Sequence, residues 1–177
     1  MSMLTQRILM FRVNRQTDYA VRVVLALAKK PQGTRLPTSE IGREMLIPPS
    51  LLQRIVAELA NGGYIKTQPG RDGGISLAHL PSEITLLQVV EHFEGNLVIS
   101  DCILKEGDCP FETKCPVSCQ WKRLNDILKA EMSRITFKQL VEDGKQIEAS
   151  QEATTASNQL KVVSNKKSFS LTDSISA

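Results

Sequence analysis

The sequence has no run of about 18 apolar residues, the length that a membrane-spanning helix needs, so we expect no membrane span and no membrane partner. Near the N-terminus, the apolar stretch Ile8 to Phe11 lies between Arg7 and Arg12 and is too short for the core of a signal peptide. These two absences predict a cytoplasmic protein whose thiols are kept reduced.

The sequence also lacks the residue pairings on which catalysis depends. It has no phosphate-binding glycine loop, no nucleophile paired with a base and no carboxylate pair that needs an active site, so we do not expect an enzyme. A chain of 177 residues can bury a sizeable core without disulfides. Its four cysteines therefore need another explanation.

The net charge of +3 is too small to identify a partner, but the charge is unevenly distributed along the chain. Residues 1–80 carry 11 Lys and Arg against five Asp and Glu, whereas residues 81–145 carry eight against 11. Residues 146–177 balance three against three, and they contain ten Ser and Thr without a sustained apolar period. This pattern predicts a basic front half, an acidic middle and a disordered tail.

Hydrophobic periodicity and turn residues predict a mainly α fold with one small β-hairpin. Two short extended runs, Tyr64–Gln68 and Ile75–Leu80, flank a glycine-rich tip and form the predicted hairpin. Thr17 is the predicted cap of the first helix, and a cysteine-bearing loop is expected over Ser100–Cys115. The predicted helices run over Thr17–Lys30, Thr38–Leu46, Pro48–Asn61, Leu86–Phe93, Val117–Ser133 and Ile135–Leu140.

The second and third helices followed by a basic hairpin have the order of a winged helix-turn-helix, in which the second helix of the pair enters the major groove of DNA. On that helix Gln53 could pair with adenine, Arg54 with guanine, and Ser50 with a base or a phosphate. Arg71 at the hairpin tip suits a minor groove, and Lys66 suits a phosphate. The alternative is a small helical domain with a solvated basic face. The hairpin that directly follows a glycine-capped helix favours the DNA-binding interpretation.

The cysteines form one group, which indicates a single ligand loop. No C-x-x-C spacing occurs, and this weakens the zinc-ribbon and thioredoxin interpretations. The longer gaps suit a loop around a larger inorganic core such as an iron-sulfur cluster, with zinc and redox-active or buried thiols as the alternatives. His79 and His92 lie outside the loop and are interpreted as ordinary hairpin-end and helix residues. The four cysteines are Cys102, Cys109, Cys115 and Cys119.

With these elements in this order, the chain resembles the Rrf-two family of bacterial transcriptional regulators, in particular its iron-sulfur cluster-binding, IscR- and NsrR-like members. The resemblance covers the chain from about Met10 to Asp143. The motifs that carry it are Thr17–Arg22, Leu52–Tyr64, Gly70–Gly74, Ile84–Leu87 and the spaced cysteines before Trp121.

The resemblance implies a winged helix-turn-helix transcriptional regulator, expected to be a repressor, that binds a partly palindromic double-stranded DNA operator. It also implies a homodimer crossed through the long helix around Trp121 to Ile135. The expected parts of the chain are an N-terminal extension (1–9), the DNA-binding domain (10–82), a cysteine-loop sensor and dimerisation region (83–145) and the disordered tail (146–177).

The resemblance further implies that the loop cysteines hold a [2Fe-2S] or [4Fe-4S] cluster that senses nitric oxide, redox state or iron-sulfur supply. Ser118 occupies the position at which the family pattern has a histidine. We therefore expect Cys119 to be the fourth ligand of a [2Fe-2S] cluster, with Asp18 of the partner subunit as the competing candidate. The alternatives are an electron-transfer or cluster-carrier protein and a zinc- or thiol-based regulator of the same fold.

Overall fold

The computed structural model describes residues 13–70, 73–104, 109, 111 and 114–152. The fold is mostly helical with one two-stranded antiparallel hairpin, which confirms the predicted fold class. In chain order the elements are α1 (Arg15–Ala28), α2 (Thr38–Glu44), α3 (Pro49–Asn61), β1 (Ile65–Gln68), β2 (Gly74–Leu77), α4 (Leu86–Glu94), α5 (Asp101–Leu104), α6 (Pro116–Arg134) and a last helical stretch over residues 137–152.

Helix α1 begins two residues before the predicted start and has a different cap. Asn14 is the N-cap, and its side-chain oxygen accepts the backbone N–H of Thr17 at 2.9 Å. Thr17 lies inside the helix and is fully buried, so its predicted role as the cap was wrong. Asn is among the strongest N-cap residues, and from three positions earlier its oxygen reaches the free amide of the first turn.

Helices α2 and α3 form the predicted helix-turn-helix pair. Leu46, in the turn between them, has a φ of 54°, and Pro49 occupies the first turn of α3, where its missing N–H is not needed. Gly63 follows the end of α3 with a φ of 74°, a left-handed conformation that glycine adopts without strain. The core side of α3 consists of Leu52, Ile55 and Leu59.

The hairpin β1–β2, which we call the wing, is tied to the chain just before α2. Within the wing, Ile65 pairs with Leu77 and Lys66 with Ser76. Leu36 and Ile75 exchange two backbone hydrogen bonds of 2.9 Å each. A Cβ at Gly74 would lie 2.6 Å from the Leu36 carbonyl oxygen, so this close approach requires glycine. The wing and the start of the helix pair are therefore one backbone-bonded unit.

The core lies where α1 packs against α3 and α4. Phe137 closes its far side: its N–H donates to the Ile84 carbonyl at 3.0 Å, and its side chain is fully buried. Thr85 and Gln88 form a capping box at the start of α4. The largest fully buried side chains of the helices and the wing include Val23, Val24, Ile41, Ile55, Leu59, Ile75, Val89 and Phe137.

The C-terminal part differs from the prediction in two places. The expected loop over Ser100–Cys115 contains the short helix α5, and the last helical stretch runs past Leu140 to residue 152, seven residues into the predicted tail. Beyond Val141 this stretch has one large apolar residue, Ile147, and is rich in Glu, Gln and Lys, which are strong helix formers. Residues beyond 152 lie outside the described part.

The described residues up to Gln139 belong to one compact unit, and a second unit begins at Leu140. Of the second unit the structure describes residues 140–152, which are helical and mostly exposed. All of the elements discussed below belong to the first unit.

Candidate DNA-reading surface and cysteine segment

Helix α3 presents one polar face to solvent. Ser50, Gln53 and Arg54 are all exposed, because the opposite face of the helix is held in the core. No salt bridge joins Arg54 to an acidic side chain among the described residues. A free guanidinium and a free amide side by side on an exposed helix are the groups that pair with guanine and adenine edges.

A groove of about 430 Å³ lies between α2 and α3, next to that face. Gln53 lines it together with Ser39 and Arg43 from α2, and both of these α2 residues are exposed. Neither Ser39 nor Arg43 was predicted from the sequence to contact DNA. The first helix of a helix-turn-helix crosses the DNA backbone, so a hydroxyl and a guanidinium on its exposed side were a detectable signal for phosphate contacts.

The wing continues the same basic surface. Lys66 is exposed on β1, while its neighbour Ile65 is buried, because successive side chains of a strand point to opposite faces. Arg71, the residue expected at the wing tip, lies outside the described residues. We call the exposed face of α3 together with the wing the DNA-reading surface.

Three of the four cysteines, Cys102, Cys115 and Cys119, lie in a helix or directly before one. Cys102 is exposed in α5, Cys109 and Cys115 are partly exposed, and Cys119 is exposed in the first turns of α6. All four are free thiols. Within the described ranges, no three or more His, Cys, Asp and Glu side chains are gathered as a metal site would need. We call residues 102–119 the cysteine segment.

The chain leading into the cysteine segment is fixed by polar contacts to α4 and α6. The Leu97 N–H donates to Glu91 Oε1 at 3.2 Å, and the Ile99 N–H donates to Asn125 Oδ1 at 3.2 Å. Lys129 Nζ lies 2.9 Å from the same Glu91 oxygen and also donates to Asn96. The hydrogen bond from Lys129 is the main cause that lowers the pKa of Glu91. The ionised pair therefore holds this segment in place.

Asp18 lies in the first turn of α1 and is exposed. Its carboxylate pairs with Arg22 at 2.7 Å, and both side chains are about half exposed. Two residues of the same helix start bind α4: the Asn14 N–H donates to Glu94 Oε1 at 2.8 Å, and the Thr17 hydroxyl donates to the same oxygen. The end of α1 that carries Asp18 is thus anchored to the helix that precedes the cysteine segment.

Helix α6 has an inverted distribution of side chains. Its buried residues, Ser118 and Asn125, are polar and are 6% and 5% exposed. Four of its large apolar residues face solvent at steps of three and four, which places them along one side of the helix, whereas Leu128 and Met132 are half-buried. We call the four exposed residues the apolar stripe of α6: Val117 (53% exposed), Trp121 (38%), Leu124 (48%) and Ile127 (53%).

None of the helices in the described ranges combines the length and the apolar character needed to cross a bilayer.

A helix pair with an exposed polar second helix, followed by a basic wing, defines a winged helix-turn-helix transcriptional regulator. A family model described as an iron-dependent transcriptional regulator, Rrf2, matches residues 13–143. The chain belongs to this Rrf2, or Rrf-two, family. The family is one of DNA-binding transcriptional regulators. The expectation that the chain is not an enzyme is thereby confirmed. The family supports a transcriptional regulator rather than the alternative of an electron-transfer or cluster-carrier protein.

Individual relatives agree with this assignment. The HTH-type transcriptional regulator NsrR of Geobacillus kaustophilus (strain HTA426) is 32% identical over 128 residues, which cover 72% of this chain and 87% of that protein. The structure of CymR, the global cysteine regulator of B. subtilis, matches with a TM-score of 0.63 at 22% identity and covers 75% of this chain and 98% of that chain. T. potens IscR matches with a TM-score of 0.62 at 18% identity, covering 77% and 90%. The two structures support the fold.

Proposed function

We propose that this protein is a homodimeric repressor that binds a partly palindromic operator and responds to an iron-sulfur cluster held by its cysteine segment. The observation that carries the proposal is the group of four free thiols in a chain whose family is described as iron-dependent. The two parts of this function, DNA recognition and cluster binding, involve different residues.

The DNA-reading half rests on the exposed face of α3. In this proposal Gln53 and Arg54 contact base edges, Ser50 contacts a base or a phosphate, and Lys66 contacts a phosphate from the wing. Arg71, directly after Gly70, is assigned to the minor groove. Ser39 and Arg43 join the groove beside Gln53, and we add them as phosphate contacts.

The dimer rests on the apolar stripe of α6. Several large apolar side chains along one side of a helix are unfavourable in water, and a second copy presents the same stripe. A helix of 19 residues extends about 28 Å, which is long enough to cross a partner helix and to set the separation of two α3 helices. Two half-sites one DNA turn apart then explain a partly palindromic operator.

The proposed cluster binding rests on the chemistry of the four thiols, which fits an iron-sulfur cluster. Thiolates are the ligands of such clusters, and the four cysteines are not joined in disulfides. We assign Cys102, Cys109, Cys115 and Cys119 as the ligands of a [2Fe-2S] cluster. Asp18 of the partner subunit is the competing fourth ligand, and it would first have to leave Arg22. When bound, the cluster supplies an iron centre whose potential and lability depend on its solvent exposure.

Contacts within the chain connect the cysteine segment to the dimer-forming helix α6 and to the DNA-reading surface. Glu91 and Lys129 fix the chain before Cys102 onto α4 and α6. Helix α6 carries Cys119 and the apolar stripe. A change at the cysteine segment can therefore act on the dimer and, through α4 and α1, on the DNA-reading surface.

The experiment that tests this proposal is purification without oxygen, followed by absorbance, iron and sulfide analysis and by operator binding with and without the cluster. We expect a coloured protein with equal amounts of iron and sulfide, and a change in operator affinity when the cluster is removed. A colourless, iron-free protein with unaltered operator affinity would overturn the sensor role. The signal, whether nitric oxide, redox state or iron-sulfur supply, is then identified by exposing the loaded protein to each.

A thiol- or zinc-based regulator of the same fold is the second candidate. The observation that favours it is that the described residues do not gather three metal ligands, while Cys102 and Cys119 are exposed. It predicts either stoichiometric zinc without sulfide, or operator binding that changes with thiol oxidation in metal-free protein. The same analysis of iron, zinc and sulfide separates the candidates.

A further inference from the structure

The side chain of His92, in α4, reaches the end of α3. The Nε2 atom of His92 lies 2.9 Å from the backbone carbonyl oxygen of Glu58, in the last turns of α3. A carbonyl oxygen can only accept, so Nε2 carries the hydrogen of this bond. The bond joins residues that are 34 positions apart in the chain.

The residue at the start of the wing completes the contact. The ring of Tyr64, which directly precedes β1, lies edge-on to the His92 ring with the centroids 5.4 Å apart. The Tyr64 hydroxyl donates to the Gln88 carbonyl of α4 at 2.9 Å. Helix α4 thus binds the end of α3 with one hydrogen bond and the start of the wing with another, and the two rings fill the space between them.

Because Gly62 has no side chain, the rings of His92 and Tyr64 can occupy the space next to it. Its φ of −75° is one that any residue adopts, so the backbone does not require glycine here. A Cβ at this position would lie 2.7 Å from His92 Cε1 and 2.7 Å from Tyr64 Cε2, both closer than real Cβ contacts. The absence of a side chain at Gly62 therefore permits His92 to reach α3.

We propose that His92 is a positioning residue for sequence-specific DNA binding. It fixes the angle between α3, which carries Gln53 and Arg54, and the wing, which carries Lys66. Base recognition needs both elements on the same DNA site, whereas phosphate contacts alone tolerate a change of angle. His92 affects DNA binding indirectly, through its contacts with α3 and Tyr64. The inference rests on the proposed DNA-reading surface and adds to it a residue of α4.

The test compares His92→Leu with His92→Gln. Leucine removes the donor, whereas the Nε2 of glutamine is the same number of bonds from Cα as the Nε2 of histidine and can donate to the same carbonyl. Full-length variants are titrated against an operator selected from random DNA and against unrelated DNA of equal length. Losing one hydrogen bond should lower operator affinity about fivefold. We expect this loss in His92→Leu with unrelated DNA nearly unaffected, and recovery of most of the affinity in His92→Gln.

Gly62→Ala provides an independent variant, because the added methyl group displaces the rings while His92 itself is retained. Its matched control is Gly144→Ala, where a Cβ meets nothing within 4 Å. We expect a selective loss of operator affinity for Gly62→Ala, none for the control, and less than additive losses in the double variant with His92→Leu, because both changes break one contact.

Several outcomes overturn the positioning role: equal losses on both DNAs, no loss, or no recovery with glutamine. Thermal unfolding of each variant separates a general loss of folded protein, which lowers binding to both DNAs alike, from the selective effect. If the wild-type protein selects no preferred sequence, the proposed function itself fails. If it selects one and the variants bind it normally, only the role of His92 fails.

Discussion

Helices α3 and α6 use their two faces in opposite ways. Helix α3 buries Leu52, Ile55 and Leu59 and leaves polar side chains in solvent, as expected for a helix whose packing is complete within its own chain. Helix α6 buries Ser118 and Asn125 and exposes its apolar stripe. The first arrangement leaves a surface for a polar partner such as DNA, whereas the second leaves apolar area for a second protein chain to bury. The regions that contain the two helices also differ in net charge, which is +6 over residues 1–80 and −3 over residues 81–145, although α6 itself carries four Lys and Arg against two Asp and Glu.

Placing a charge in the apolar stripe is the change with the largest expected effect. Leu124→Asp should abolish the proposed dimer, since a carboxylate would be buried against the partner's apolar side chains. Operator affinity should fall about a hundredfold or more, because the two half-sites would no longer be bound by one particle. Analytical ultracentrifugation and operator titration measure the two effects.

The matched control for this variant is Ser133→Asp, which adds the same charge to an exposed position of α6 that lies at least about 120° around the helix from every residue of the stripe. It should stay dimeric and bind the operator normally. A Leu124→Asp protein that is still a dimer would contradict the assignment of the interface to α6.

Removing a cluster ligand is expected to have the next largest effect, and it identifies the fourth ligand. Cys119→Ser should lower the iron content of anaerobically purified protein as far as Cys115→Ser does, because the hydroxyl of serine is a poorer ligand than a thiolate. Asp18→Asn should keep its iron. The reverse result, with iron lost from Asp18→Asn and kept by Cys119→Ser, would assign the fourth position to Asp18 of the partner subunit.

Two substitutions on the DNA-reading surface should have moderate effects that differ in kind. Gln53→Ala should cost about 1–3 kcal/mol on the preferred operator and relax specificity at one position of each half-site. Lys66→Ala should weaken binding to all sequences equally and reduce the slope of affinity against salt by about 1. Titration against a set of single-base operator variants at several salt concentrations distinguishes the two. A uniform loss for Gln53→Ala would assign it to phosphate instead.

The smallest effect concerns the ion pair between Glu91 and Lys129. The pKa of Glu91 in the folded protein lies below its ordinary value of 4.5, mainly because of the hydrogen bond from Lys129. The stabilisation is therefore present in full above pH 4.5 and is lost as the pH falls through the lower, folded-state pKa. Glu91→Gln should be slightly less stable than the wild type at neutral pH, and thermal unfolding should show the difference vanish in acid. A difference that stays constant with pH would argue against the ion pair.

The features of the molecule that depend on neighbours in sequence were predictable. The apolar spacing of α3, the glycines after it and the prolines before it predicted that helix, and two short extended runs on either side of a glycine-rich tip predicted the wing. The helical spacing around Trp121 predicted α6 to within a residue at each end. These signals arise within a few positions along the chain, where helix and strand periodicity act.

The contacts that were not predictable join distant positions. Glu94 is 77 residues from Thr17, and Lys129 is 33 from Asn96, so no local pattern indicates either contact. The role of Thr17 was mistaken for this reason, since a buried hydroxyl that binds a distant carboxylate has the same sequence context as a cap. His92 and Glu58 are likewise 34 residues apart, so no local pattern indicates the hydrogen bond between them.

The paired hydrogen bonds between Leu36 and Ile75 have a consequence for the order of folding. Helices α2 and α3 and the wing hairpin are local structures that can form early, but this bridge closes a loop of about 39 residues and cannot form until both of its ends are in place. Amide hydrogen exchange should accordingly show Leu36 and Ile75 opening together. A chain that ends at Gly70 would contain α2, α3 and β1, but it would lack β2, the strand whose Ile75 is hydrogen-bonded to Leu36.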